Sequence, residues 1–215
     1  ATTVGVYPQV PNTYDVTATT TSGCPGLTTS ITVKAAATGY SYQLYNITTK
    51  SLLGSPITPT AAGDIVFPAI TVHSTADYSV YIKSTETQCG TENINSKYIT
   101  VTITGPTVTQ AVTQSASKVC VGGTVSFSFD GQSGYTYSLI DKATGGQVGS
   151  SVNGSTGSKV NFNAGPLNTA GTKNYRIKVV GSGCDTFLVT EPSVEVTTGG
   201  PSTVSAGSDA TTCVK

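Results

Sequence analysis

Five cysteines, Cys24, Cys89, Cys120, Cys184 and Cys213, are the side chains of this chain best equipped for chemistry. A thiol can pair as a disulfide, ligate a soft metal or act as a nucleophile, and each use needs particular company. A zinc site needs further Cys or His at short spacing, and a nucleophile needs a base beside it. The one histidine, His73, sits in Thr71-Val-His-Ser74 with no accompanying base pattern. H-E-x-x-H, G-x-S-x-G and phosphate-cradling loops do not occur. Asp130, Asp141, Asp185 and Glu191 lie far apart in sequence, and no calcium-loop pattern contains them. The chain therefore reads as non-enzymatic, with no cofactor and no metal. Its cysteines are best explained as disulfides made in an oxidising compartment.

Two other residue types invite a binding role. Tyr40, Tyr42 and Tyr45 could form an aromatic platform for a glycan. Tyr135 and Tyr137 recur at matching places, however, which suits structural residues: Tyr42 in a core and Tyr40 at its edge. Tyr78 and Tyr175 read likewise as core or corner tyrosines. Asn46-Ile-Thr48 and Asn153-Gly-Ser155 fit the N-glycosylation pattern, but such matches arise easily in a Ser/Thr-rich chain.

The elements that must position the cysteines follow from an internal repeat. Cys24-Pro-Gly26 leads through Thr29, Ile31 and Val33 to Gly39-Tyr-Ser-Tyr-Gln-Leu44. Cys120-Val-Gly122 leads through Val125, Phe127 and Phe129 to Gly134-Tyr-Thr-Tyr-Ser-Leu139. Tyr78-Ser-Val-Tyr-Ile82 matches Tyr175-Arg-Ile-Lys-Val179, and a second cysteine follows each. Cys24 to Cys120 is 96 residues, Cys89 to Cys184 is 95 and Cys120 to Cys213 is 93, so the period lies at 93–96. Gly105-Pro106 and Gly199-Gly-Pro201 punctuate the units. The expected organisation is repeat 1 over 1–105, repeat 2 over 106–200, and the first strand of a truncated third repeat over 201–215. The chain thus reads as a piece of something longer.

Thr, Ser, Gly and Val dominate, and Met and Trp are absent. Stiff β-branched side chains favour strands. Hydrophobic residues make up 37%, too many and too regularly spaced for a disordered tract. In the second repeat, strands are expected at 108–112, 124–129, 135–140, 147–152, 159–163 and 174–180, with a last one ending at Thr197. Residues facing the core would be Val125, Phe127, Phe129, Tyr137, Leu139, Val160, Phe162, Tyr175, Ile177 and Val179. The fold class is all-β: tandem Ig-like antiparallel β-sandwich domains of about seven strands each. Leu44 and Leu139 stand where antibody-type domains carry Trp. A formal net charge of zero, with charged residues at 10%, gives no electrostatic reason to bind nucleic acid or an anionic membrane. No stretch approaches a membrane span.

Two disulfide schemes remain open. The simpler pairs cysteines inside each repeat, Cys24–Cys89 and Cys120–Cys184. In an Ig-like topology, though, the first cysteine precedes the second strand at one end of the sandwich, and the second follows the sixth strand at the other. Cα atoms more than about 7 Å apart cannot be bridged. The alternative is an interdomain bond, Cys24–Cys184, between modules joined head to tail. Cys213 would pair with a residue beyond this chain. Reduced thiols are the third possibility.

The cysteine-glycine opening, the G-Y-x-Y strand, the Y-x-V/I-x-I/V strand and the later cysteine together resemble the PKD-like or Ig-like repeats of very large secreted Bacteroidota proteins. Ala206-Gly-Ser-Asp209 before Cys213 is similar to the A-G-x-D opening of such repeats. That motif is absent before Cys24 and Cys120, and the usual third-strand Trp is missing. The resemblance implies stalks or filaments of cell-surface adhesins, including gliding adhesins, exported by the type IX system. The implied location is extracellular, at the cell surface. The expected partners are neighbouring repeats of the same chain and identical chains in a fibre. Modules that bind glycans or associate laterally, or that accompany a secreted hydrolase, are the alternatives.

Overall fold

A computed structural model describes residues 10–85 and 92–199 of the chain. Among them every regular element is a strand. The chain divides into two compact units, Ala1–Thr104 and Gly105–Lys215. The expected third repeat, 201–215, lies outside the described residues.

In unit 1 the strands are β1 (Val16–Ala18), β2 (Ser22–Gly23), β3 (Leu27–Thr29), β4 (Ile31–Ala36), β5 (Tyr40–Asn46) and β6 (Ser51–Ile57). They continue with β7 (Gly63–Val66), β8 (Ile70–Val72), β9 (Ala76–Ser84), β10 (Glu92–Ile94) and β11 (Ile99–Ile103). One sheet runs β1-β4-β7, the other β2-β11-β9-β5-β6 with β10 also on β9, and β3 pairs β8. Alternation explains which face is buried. Ile31 and Val33 on β4, Tyr42 and Leu44 on β5, and Val80 and Ile82 on β9 are all essentially inaccessible, while the residues between them are at least partly exposed or lie on the covered sheet.

Unit 2 repeats the plan with β12 (Thr113–Gln114), β13 (Lys118–Cys120), β14 (Val125–Asp130), β15 (Thr136–Asp141) and β16 (Gln147–Asn153). Then come β17 (Lys159–Ala164), β18 (Gly171–Gly181), β19 (Cys184–Phe187) and β20 (Ser193–Thr197). Its sheets are β12-β14-β17 and β13-β20-β18-β15-β16, with β19 on β18. All ten residues expected to face the core are buried in one cluster. In each unit the leading segment splits between sheets: β1 or β12 joins the smaller sheet, while β2 or β13 runs parallel to the last strand of the larger. Two facing sheets joined in this order make each unit an Ig-like β-sandwich.

Three features depart from the sequence reading. The first strand of unit 2 is β12, not residues 108–112. Val108 is fully buried and its carbonyl accepts from Val189 N–H at 2.8 Å on the larger sheet's side. The segment thus crosses between sheets before it pairs with β14, and an apolar alternation serves both courses. The short strands β13 and β19 carry no signal in the sequence. Each holds three or four residues, too few for a period-2 signal.

Candidate functional site: the cysteine-bearing poles

Each sandwich has a proximal pole, where the chain arrives, and a distal pole, where it leaves. In unit 2 Thr107 is held at the proximal pole by the Gln132 side chain, whose Oε1 accepts from Thr107 N–H at 2.9 Å and whose Nε2 donates to Thr107 O at 3.0 Å. The Gln132 N–H in turn donates to the Tyr137 hydroxyl at 3.2 Å. Chain segments approach closely here. A side chain at Gly154 would meet Gln132 O at 2.4 Å and the Tyr137 ring at 2.6 Å, so only glycine fits. Thr136 pairs with Val180 across β15 and β18, and Gly181 pairs with Cys184 across β18 and β19. Cys184 therefore belongs to the proximal pole of unit 2.

Cys120 occupies the opposite pole. It ends β13 in register with Thr197, the last residue of β20, and the neighbouring Val196 pairs with Gly171 at the start of β18. Gly171 and Gly181 bound an 11-residue strand. At about 3.3 Å per residue, ten steps separate the two cysteines' positions by roughly 33 Å along the sheet. Cys120 and Cys184 are nevertheless each disulfide-bonded. The expected Cys120–Cys184 pair is corrected: the long strand β18 holds these cysteines at opposite ends of the sandwich, far beyond the Cα separation a disulfide permits.

Cys24 repeats the placement of Cys120. It follows β2, whose Gly23 pairs with Ile103 at the end of β11, and Gly23 O accepts from Thr104 N–H at 2.9 Å. Cys24, also disulfide-bonded, thus lies at the distal pole of unit 1, where that unit's chain departs. Cys89 and Cys213 lie outside the described residues.

The tyrosines take the structural positions expected of them. Tyr42 and Tyr137 are fully buried, and Tyr78 and Tyr175 nearly so, while Tyr40, Tyr45 and Tyr135 are partly exposed. Ala37 N–H donates to the Tyr42 hydroxyl at 2.9 Å, as Gln132 N–H does to Tyr137, so each third-strand tyrosine ties down the turn five residues before it. Burial, then the neighbouring Tyr14 hydroxyl, pushes the Tyr42 hydroxyl pKa well above its ordinary value. Leu44 and Leu139 are buried in the third strands. Asn46 is buried and accepts from Thr49 N–H at 2.9 Å, which closes the first glycosylation pattern to modification. Asn153 is exposed and accepts from Thr136 Oγ1 at 2.8 Å. His73 follows β8, and its Nδ1 is buried without a hydrogen-bond partner. Among the described residues, no three His, Cys, Asp or Glu side chains gather as a metal set, and no helix is long and apolar enough to cross a membrane.

No protein-family model matches the chain, and neither does any curated protein sequence. Solved structures do, among them the human OSCAR ligand-binding domain, at 12% identity and a TM-score of 0.35, over 87% of this chain and 100% of that one. At that distance no residue role transfers. The Ig-like assignment rests on the strand order and register described above.

Proposed function

We propose that this chain is a non-catalytic structural segment of a larger extracellular protein, in which Ig-like modules stand in series as a stalk or filament. The observation that carries the reading is the duplication itself. Two units repeat one strand order, one set of buried positions and one placement of disulfide-bonded cysteine at the distal pole. Repeated modules whose side chains serve their own cores make spacers, stabilised within each unit and by neighbours. The resemblance to repeat modules of secreted Bacteroidota adhesins points to a bacterial cell surface and the type IX export route. Disulfides fit an oxidising, extracytoplasmic location.

The test uses the 215-residue chain. Sedimentation should give a monomer, and a glycan array should retain none of it. Retention of a defined glycan would overturn the spacer reading in favour of a binding module. Concentration-dependent filaments would make lateral self-association its function. The exposed Val66 on edge strand β7 is the first place to substitute in that event.

A further inference from the structure

We infer that Asn153-Gly154 is a deamidation site which the fold of unit 2 keeps silent, and that unfolding of this unit opens it to a one-way change. The pair is the only Asn-Gly step in the sequence. The change belongs to unit 2 alone and stands whether or not the chain is a spacer.

A glycine after asparagine leaves its backbone nitrogen unshielded by any side chain, so in a free chain that nitrogen reaches the asparagine's own Cγ. The Gly154 nitrogen gives up its proton and attacks Asn153 Cγ. The bond from Cγ to the side-chain nitrogen breaks, ammonia leaves, and a succinimide ring closes. Water then opens the ring at either carbonyl, giving aspartate or isoaspartate. The sum consumes one water and releases one ammonia, with no change of oxidation state.

In the folded unit the atoms of that reaction are held apart. Asn153 ends β16 in register with Thr136, whose Oγ1 donates to Asn153 Oδ1 at 2.8 Å. The Gly154 N–H, which must supply the nucleophile, donates to Tyr135 O at 2.8 Å. Ring closure needs the Asn153 Cα–C bond turned until the Gly154 nitrogen eclipses Cβ, a setting outside the extended region a strand occupies. Gly154 has no space for that turn. A Cβ there would meet the fully buried Tyr137 ring at 2.6 Å and collide with Gln132 O. Asn153 itself is exposed, so water reaches its amide and the block is conformational.

A second labile step in unit 2 is restrained in the same way. Asp130-Gly131, the only Asp-Gly step in the sequence, isomerises through the same ring. Asp130 ends β14, Gly131 N–H donates to Ser158 O at 2.9 Å, and a Cβ on Gly131 would meet Val160 Cγ2 at 3.0 Å. Unit 1 has neither step. Its equivalent strand pairs put Lys34 at the place of Asp130 and Thr58 at the place of Asn153.

The change is one-way because isoaspartate carries the main chain through Cβ. It adds a backbone atom just before Gly154, where packing leaves no slack. A unit 2 that has unfolded and aged therefore does not return to its sandwich, whereas an ordinary aspartate at 153 still accepts from Thr136.

The test ages the 215-residue chain at one mildly alkaline pH and temperature, either folded or unfolded in urea. Tryptic peptide 143–159 holds Asn153 as its one asparagine, and its amide-to-acid mass gain is followed with time. Conversion should be at least about tenfold slower in the folded chain, because it waits on local opening. A smaller difference would overturn the proposal. Urea is then removed from the aged chain. Molecules carrying isoaspartate at 153 should fail to regain the denaturation transition of unit 2. Asn153→Asp, with the same charge and an ordinary backbone, should keep it. Recovery of the transition by isoaspartyl chains would overturn the one-way change, and its loss in Asn153→Asp would assign the damage to charge and overturn it likewise.

Discussion

The two units solve the same packing problem with different side chains, and the exchanges are compensated. Against the third-strand tyrosine, unit 2 places Phe129, from β14, with ring centroids 5.1 Å apart. The matching position on β4 is Val33, aligned by the pairs Val33–Ile65 and Phe129–Val160. Unit 1 recovers the aromatic contact from another element: Tyr14, in the leading segment, meets Tyr42 edge-on at 5.5 Å. Its counterpart in unit 2 is Gln110, since Asn12 and Val108 accept equivalent backbone bonds. Each third-strand tyrosine meets a ring edge-on, and a different element supplies it in each unit.

A second exchange trades polarity for packing. Asn95 N–H donates to Val80 O as Leu188 N–H does to Ile177 O, which makes Asn95 and Leu188 equivalents, each 2% exposed. Leu188 fills the core of unit 2. Asn95 instead imitates a strand partner. Its Oδ1 accepts from Tyr14 N–H and its Nδ2 donates to Tyr14 O, both at 2.8 Å, and to Lys97 O at 2.8 Å. Ser79, also buried, donates to Asn95 O and Lys97 O. A buried amide is tolerable when its hydrogen bonds are made. Here it fastens the segment that carries Tyr14, so the two exchanges in unit 1 are linked.

The largest effect should come from Phe129→Ala, expected to destabilise unit 2 by about 3–5 kcal/mol and to leave unit 1 unchanged, read as a shift in one of two denaturation transitions. Asn95→Ala should destabilise unit 1 by about 2 kcal/mol, because Tyr14 N–H and O lose their partner; an equal effect on unit 2 would break the equivalence drawn above. Val33→Phe alone should overpack unit 1 by about 1–3 kcal/mol. Combined with Tyr14→Gln it should recover part of that loss, measured as a double-mutant coupling.

Alkaline pH separates the units by a smaller margin. The Tyr42 hydroxyl is raised by burial and by Tyr14, against a smaller lowering by the Ala37 N–H it accepts from. Tyr137 is raised by burial too, but donations from Gln132 N–H and the Gln110 side chain act in the opposite direction. A pKa raised on folding stabilises fully below the unfolded value of about 10 and is lost as pH rises from there through the folded value. Unit 1 should therefore weaken first above pH of about 10, and Tyr42→Phe should flatten its profile in an alkaline denaturation series.

The smallest effect concerns a reversed ion pair. Lys34–Asp64 at 2.6 Å in unit 1 corresponds to Asp130–Lys159 at 2.7 Å in unit 2, with the signs exchanged across the same ladder. All four side chains are about half exposed or more, so Lys34→Asp should cost less than about 1 kcal/mol and Asp64→Lys should restore it.

The amino-acid sequence alone determined the repeat, the all-β class and the inward face of the main strands, because alternation over six residues writes burial directly into residue type. Val125, Phe127, Phe129, Ile177 and Val179 needed no coordinates. Tertiary structure decided what local pattern cannot express. Tyr14 and Asn95 act across 81 residues of sequence, and nothing in their own neighbourhoods marks a contact. The segment 108–112 alternates as a strand should, yet crosses between sheets because Val108 is engaged by Val189. The cysteines show the division most plainly. Their spacing disclosed a period, while the length of β18 and the parallel pairing of β13 with β20 fixed the poles that Cys120 and Cys184 occupy. Period is a property of the chain, and reach is a property of the fold.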